Sequence, residues 1–212
     1  MFSSNSDSED IPWDKLPYVT LILIYKFLEI ADRFNASLVC HSWFHAFESG
    51  TLWKKTNFVF SGDMVDDSRK ALKFAKKHAN SLKDLKIHFR KIDKVLIQEA
   101  LNNLQLLFEC LESFSQLYFF DLENFYHYPS HRSPSAVVAL ANRAFKGFLK
   151  SQHHLKKIAF INVRLSESDG LDILTEIAEQ NQSLEHLGLT YFFESFLDVH
   201  RYDQCKNKSS YA

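Results

Sequence analysis

Leu82-Lys83-Asp84-Leu85-Lys86-Ile87, Leu117-Tyr118-Phe119-Phe120-Asp121-Leu122, Leu155-Lys156-Lys157-Ile158-Ala159-Phe160 and Leu184-Glu185-His186-Leu187-Gly188-Leu189 share one pattern, Leu-x-x-Φ-x-Φ with Φ apolar. The segments start at 82, 117, 155 and 184, which is 35, 38 and 29 residues apart. Alternation of apolar and polar residues over so short a run predicts a strand. Between the segments lie helical patterns. They are Val95, Leu96, Leu101, Leu104, Phe108 and Leu111, then Val137, Val138, Ala141, Phe145, Phe148 and Leu149, then Leu171, Leu174, Ile177 and Ala178 with Asp169 as an N-cap. A strand and a helix repeated at this period predict an α/β solenoid with a parallel sheet. Each unit has one apolar side and buries it only by stacking on its neighbours.

Composition agrees with a packed chain. Of 212 residues 46% are hydrophobic and 24% charged, and 20 are Phe, so core material is plentiful. The net charge is −1, which argues against a sequence-independent grip on nucleic-acid phosphates. With five Gly and four Pro, phosphate-cradling loops and turn-rich sandwiches are poorly supplied. Cys40, Cys110 and Cys205 are too few and too far apart for a disulfide framework or a metal knuckle, which suits a reducing compartment. The N-terminus is acidic where a secretory signal is basic and then apolar. The most apolar stretch, Val19–Ala31, is broken by Lys26 and Glu29 and is too short to span a bilayer. The expectation is a soluble protein of the cytoplasm, the nucleus or both, with no membrane partner.

The chain divides into four parts: an acidic disordered tail (1–11), a helical segment (12–58), the repeats (59–193) and an irregular tail (194–212). Pro17 suits the first turn of a helix carrying Leu21, Ile24, Tyr25 and Leu28 on one stripe. A second helix is predicted from an Asp32 N-cap to a stop at Gly50, with Ala36, Val39, Cys40, Trp43, Phe44 and Phe47 on its apolar face. Leu52-Trp53 follows as a latch, and Asn57–Phe60 as a short strand.

Leu16-Pro17, Leu21, Ile24-Tyr25, Leu28, Asp32, Ser37-Leu38-Val39-Cys40-His41-Ser42-Trp43 and Leu52-Trp53, in this order and spacing, resemble an F-box. Tyr25 stands where that family has Phe, and Tyr18-Val19 where acidic residues are common. The resemblance implies a small three-helix module that docks on a Skp-family adaptor and, through it, on the cullin and RING subunits of a ubiquitin ligase. The adaptor-binding residues it implies are Leu16, Pro17, Leu21, Ile24, Tyr25, Leu28, Val39, Cys40, Trp43, Leu52 and Trp53. So small a segment cannot enclose Leu21, Ile24, Leu28, Val39, Trp43 and Trp53 completely, and apolar surface left over calls for a partner.

Residues 81–193 resemble the leucine-rich repeats that follow many F-boxes, in a short and irregular form. Three positions after the last Φ stand Arg90, Phe125, Val163 and Phe192, never Asn or Cys, although Asn124 and Asn162 sit one place earlier. The strand-to-helix turns must therefore satisfy their backbone groups in another way. The polar end Cys205–Ala212 offers no capping helix, so a shortened form of a longer repeat protein is expected.

Catalytic chemistry finds little support. His153 and His154 are adjacent and point apart, and no His-Glu-x-x-His, Cys-x-x-Cys or Gly-x-Ser-x-Gly occurs. Cys40 lies on an apolar helix face, where packing is its expected role. No metal site and no cofactor are expected. Arg69, Lys70, Lys73, Lys76 and Lys77 form a basic stripe that reads as a solvated helix face, with few aromatics to stack bases. The loop 126–135 reads as a tolerated insertion.

The expected function is that of a non-catalytic substrate receptor. Its client-binding face would be the strand residues pointing away from the core: Tyr118, Phe119, Asp121, Glu123, Lys156 and Lys157. Asp121 and Glu123 could bind a cation or hold a raised pKa, with solvated surface charge as the plainer reading. The alternative is a shortened scaffold or competitor that binds the adaptor and no client.

Overall fold

The structure is a computed structural model and describes residues 12–61, 63–90, 98–125 and 136–193. The tails 1–11 and 194–212, the insertion 126–135, and Val95 and Leu96 lie outside the described residues. The chain forms two compact units that divide between Trp53 and Lys54.

The first unit is helical. After a turn at Trp13–Lys15 come α1 (Tyr18–Phe27), α2 (Ile30–Ser37) and α3 (His41–Phe47), then a turn at Gly50–Trp53. Pro17 takes the N-cap position of α1, and its carbonyl accepts from Leu21 N at 3.1 Å. The single helix expected from Asp32 to Gly50 is two helices. The chain tightens at the end of α2: Ser37 Oγ donates back to Phe34 O (2.6 Å), and Leu38 N and Val39 N bond only three residues back. Cys40 is then fully extended (φ −161°, ψ 173°) and begins α3. Asp32 is not a cap but lies in the first turn of α2, where its charge favours the helix dipole.

The second unit is a five-stranded parallel sheet with its strands side by side in chain order. They are β1 (Lys55–Phe60), β2 (Asp84–Phe89), β3 (Phe119–Glu123), β4 (Lys157–Ile161) and β5 (His186–Thr190). Helices α4 (Met64–His78), α5 (Gln98–Phe114), α6 (Ala136–Ser151) and α7 (Glu167–Gln180) lie between them in sequence, each packed against the next. The repeat thus includes one more strand than the Leu pattern reveals. In β1 the corresponding residues are Trp53, Thr56 and Phe58, and the Leu signature is gone.

Every pattern residue of the first three segments, from Leu82 to Phe160, is fully buried. The fourth is not: Leu187 and Leu189 are 45% and 42% exposed on edge strand β5. Phenylalanines tie the strands and helices together. Phe60 stacks on Phe89 (4.7 Å), and Phe120 meets Phe148 (5.2 Å), Phe145 and Phe160 at 6.3 Å each.

The buried stripe of α7 is Gly170, Ile173 and Ile177, with Leu174 packed against the core; of the expected Leu171, Leu174, Ile177 and Ala178, Leu171 and Ala178 are exposed instead. The cap is Ser166, whose Oγ accepts from Asp169 N (3.2 Å), so the helix starts earlier than Asp169. Gly170 faces the core because a Cβ there would stand 2.4 Å from the Phe193 ring. Leu171 is left 52% exposed.

Asparagines and glutamines hold the turns. Asn124 and Asn162 follow β3 and β4 in left-handed conformations (φ 56° and 58°) that Asn tolerates well. Asn162 Nδ2 donates to Asn124 Oδ1 at 2.9 Å. At the opposite ends of the strands, fully buried Gln152 accepts from Leu117 N (2.9 Å) and donates to Ser115 O (3.2 Å). Asn181 Oδ1 accepts from Leu155 N (3.1 Å) in the same way. One repeat therefore satisfies the backbone of the one before it. Gln152→Ala strands two buried polar groups and should cost about 2–3 kcal/mol in urea unfolding.

Candidate functional site

In the helical unit the core is filled by its own side chains. Tyr25 packs edge-on to Trp43 (5.6 Å), and its hydroxyl donates to Trp43 O at 3.0 Å. That bond explains a phenol at this position, and burial pushes the Tyr25 hydroxyl up to about 12. Trp43 Nε1 donates to Trp13 O (2.9 Å), and Trp53 Nε1 to Phe47 O (3.1 Å). The Arg33 guanidinium stands over the Trp53 ring and donates to Leu28 O and Leu52 O.

This packing decides what the eleven expected adaptor residues can do. Leu21, Tyr25, Trp43, Leu52 and Trp53 are buried, and their side chains build the core of the module. Trp43 keeps 8% of its surface, against the half-covered state expected of it. Leu16, Ile24, Leu28 and Cys40 are half-buried, and Pro17 and Val39 are exposed. Interlocked aromatic rings close a core that length alone suggested would stay open.

Apart from Val39, the most exposed apolar side chains are other residues. On α1, Val19, Leu23 and Phe27 recur at i, i+4 and i+8, opposite to the buried Leu21, Ile22 and Tyr25. Phe27 is 88% exposed, and Leu38 and Val39 between α2 and α3 are 69% and 64% exposed. Trp13, Phe34 and Phe44 are also more than half or half out of the core. The signal was in the sequence. A helix reading Val-Thr-Leu-Ile-Leu-Ile-Tyr-Lys-Phe is apolar on every side, and one small module cannot cover all of them.

In the sheet unit, the face opposite the helices carries most of the expected client residues. Phe119, Asp121 and Glu123 share that face of β3, with Lys157 beside Phe119 on β4. Tyr118 and Lys156 precede their strands; Lys83 stands over the Tyr118 ring (5.4 Å), and Lys156 pairs with Glu185 (3.6 Å). The two carboxylates part company. Glu123 accepts from Lys86 Nζ (2.5 Å) and His88 Nδ1 (2.6 Å). Burial pushes its carboxyl up, but those bonds and charges outweigh burial and hold it below the ordinary glutamate value of 4.5. Asp121 has no such partners, and burial pushes its carboxyl up.

A depressed carboxylate adds stability above its unfolded pKa, and the gain is lost as pH falls through the folded value. Glu123→Gln should therefore be less stable than the parent by about 1 kcal/mol near neutral pH. The two should converge below pH 4.5, as urea midpoints measured across that range will show.

The remaining candidates are structural. The basic stripe lies on α4, whose first turn holds Asp66 and Asp67 and whose last holds Lys76 and Lys77, in accord with the helix dipole. Arg69 pairs with Glu99 (2.8 Å) and Lys70 with Asp66 (2.5 Å). His153 and His154 are exposed. Among the described residues no three His, Cys, Asp or Glu side chains gather as metal ligands, and no helix is long and apolar enough to cross a membrane.

Comparison with known protein families gives one match. Residues 13–59 match the model of the F-box-like family, which takes in the whole helical unit from Trp13 onward and most of β1. Residues 13–59 are thus an F-box-like domain, and F-box domains bind Skp-type adaptors.

Proposed function

We propose that the chain is a non-catalytic receptor subunit of a Skp–cullin–F-box ubiquitin ligase, acting in the cytoplasm, the nucleus or both. The helical unit docks on the adaptor, which brings cullin and RING subunits, and the sheet unit serves as a short leucine-rich-repeat array that holds a client protein. The junction from Leu52-Trp53 to Phe58-Val59-Phe60-Ser61 resembles that of F-box only protein 39. Catalysis is by proximity. A receptor that binds both partners raises the effective concentration of client lysines near the charged ubiquitin carrier and forms no covalent intermediate of its own.

One observation carries the adaptor reading. Val19, Leu23, Phe27, Leu38 and Val39 are exposed on a unit whose core is already full, and no described residue covers them. Covered by a partner, each would contribute about 1.5–3 kcal/mol. The client reading rests on the sheet face, where aromatic and charged side chains stand together on a rigid floor.

Affinity capture tests both halves. The full chain is expected to retain a purified Skp-type adaptor with its cullin and RING subunits, and residues 54–212 alone to retain none of them. Equal retention by the shorter chain would refute the assignment of docking to the helical unit. Retention of the adaptor by the full chain, with no client stabilised when it is depleted from cells, would mark a competitor instead.

A further inference from the structure

On the face of the sheet opposite the helices, charges are largely matched. Lys55 pairs with Asp84 (3.1 Å) and Lys86 and His88 share Glu123, while just before β4 and β5 Lys156 pairs with Glu185 (3.6 Å). Asp121 stands in the middle of this surface with no hydrogen bond or ion pair among the described residues. Its Oδ1 is shut off from solvent and has no donor. Lys86 and Lys157 are the nearest cations, but Lys86 is held by Glu123, and Lys157 points into solvent outside ion-pair distance.

Beside Asp121 the floor is bare. In register across the sheet come Asp121, Ala159 and Gly188, so a carboxylate, a methyl group and a hydrogen follow one another toward the β5 edge. Phe119, Lys157 and His186 form the row on one side, and Glu123, Ile161 and Thr190 the row on the other. The result is a trough crossing two inter-strand gaps, about 10 Å long. Neither conformation nor packing requires the floor to be bare. Gly188 has no positive φ, and a Cβ on it would meet Ala159 Cβ at 3.5 Å, an ordinary contact.

We infer that this trough receives a lysine or arginine side chain of the client, its stem on Ala159 and Gly188 between the Lys157–His186 and Ile161–Thr190 rows and its cationic head on the Asp121 carboxylate beside Phe119. The inference rests on the reading that the sheet face holds a client. The chemistry selects among occupants. An apolar side chain would seal Asp121 away from water with no donor, which is costly. An acidic one would bring like charge to Asp121 and Glu123. A basic one supplies donors along with a stem long enough to cover the floor. Lys157 opposes it only weakly, because its exposed ammonium is screened by solvent while Asp121 is half-buried. A cation on Asp121 favours its ionised form, and burial opposes ionisation in the free protein. Binding should therefore release a proton and tighten as pH rises through the range where free Asp121 titrates.

The test is a nuclear magnetic resonance titration of the full chain, labelled at alanine methyls and glycine amides. The probes are the peptides acetyl-Gly-Gly-Lys-Gly-Gly-amide and its arginine, norleucine and glutamate counterparts. Saturable shifts of the Ala159 methyl and the Gly188 amide are expected with the lysine and arginine peptides, at dissociation constants on the order of millimolar. Norleucine and glutamate should bind at least ~10-fold more weakly. Asp121→Asn and Gly188→Leu act at opposite ends of the trough, and each should reduce the lysine peptide to the norleucine level without lowering the melting temperature. Equal response to norleucine, silence of both reporters with the basic peptides, or unchanged affinity in Asp121→Asn would overturn the inference. Adaptor capture by the same samples separates the two readings. Capture with a silent trough sinks this inference alone, whereas a responsive trough without capture sinks the ligase reading and leaves the site.

Discussion

Phe27→Asp combined with Val39→Asp should abolish capture of a Skp-type adaptor, weakening binding at least ~100-fold, while the melting temperature stays within about 2 °C of the parent. Both side chains are mostly in solvent, Phe27 at 88% and Val39 at 64%, so the folded chain loses little when they become polar. A partner that covers them must instead bury two carboxylates with no donors prepared for them. That penalty adds to the lost apolar contact, and every 1.4 kcal/mol is tenfold in affinity. Titration calorimetry with the purified adaptor, with circular dichroism on the same samples, measures both quantities.

Trp43→Ala should do the opposite. It removes the ring against which Tyr25 packs and the indole N–H that holds Trp13 O, and leaves a cavity at the centre of α1, α3 and the N-terminal turn. The expected cost is about 3–5 kcal/mol, most or all of the stability of so small a unit. Adaptor capture would be lost as well, but together with the near-ultraviolet signal and the cooperative melt of the helical unit. Loss of binding in this variant thus reports on the scaffold. Trp43→Ala with an unchanged melt would show that the ring is not the keystone described above.

The repeat was legible because its signal is local. Leu85 and Ile87 on the strand and Leu82 just before it, with the residues matching them in the next two segments, all face one core, and the period of their recurrence carries the parallel order. The strand read at Asn57–Phe60 is β1, but its place in the repeat was not legible because Trp53 and Thr56 stand where Leu82 and Leu85 stand in the next unit. On α7 the expected stripe held at Leu174 and Ile177 but not at Leu171, because Gly170 faces inward for want of bulk. Hydrophobicity patterns weigh what a side chain has, and there the fold uses what Gly170 lacks.

The helical unit shows the same limit at its functional surface. Residues that mark the family pattern, such as Tyr25, Trp43 and Trp53, are the ones that hold the module together. The exposed apolar residues of α1, such as Leu23 and Phe27, carry no pattern of their own. Which of two apolar stripes on α1 turns inward depends on how Trp43 and Phe47 return from a later helix, and no local periodicity contains that information. Asp121 and Glu123 were equivalent in sequence. They differ only because Lys86 and His88, two strand residues more than thirty positions away, both face Glu123.

Hydroxyl-radical footprinting of the full chain, alone and with adaptor, tests the division between inner and outer residues directly. The structure predicts rapid oxidation of Phe27, Phe34 and Phe44 in the free chain, protection of Phe27 when adaptor binds, and slow oxidation of Tyr25, Trp43 and Trp53 in both states. Fast oxidation of Trp43 that adaptor suppresses, with Phe27 reacting equally in both states, would contradict it.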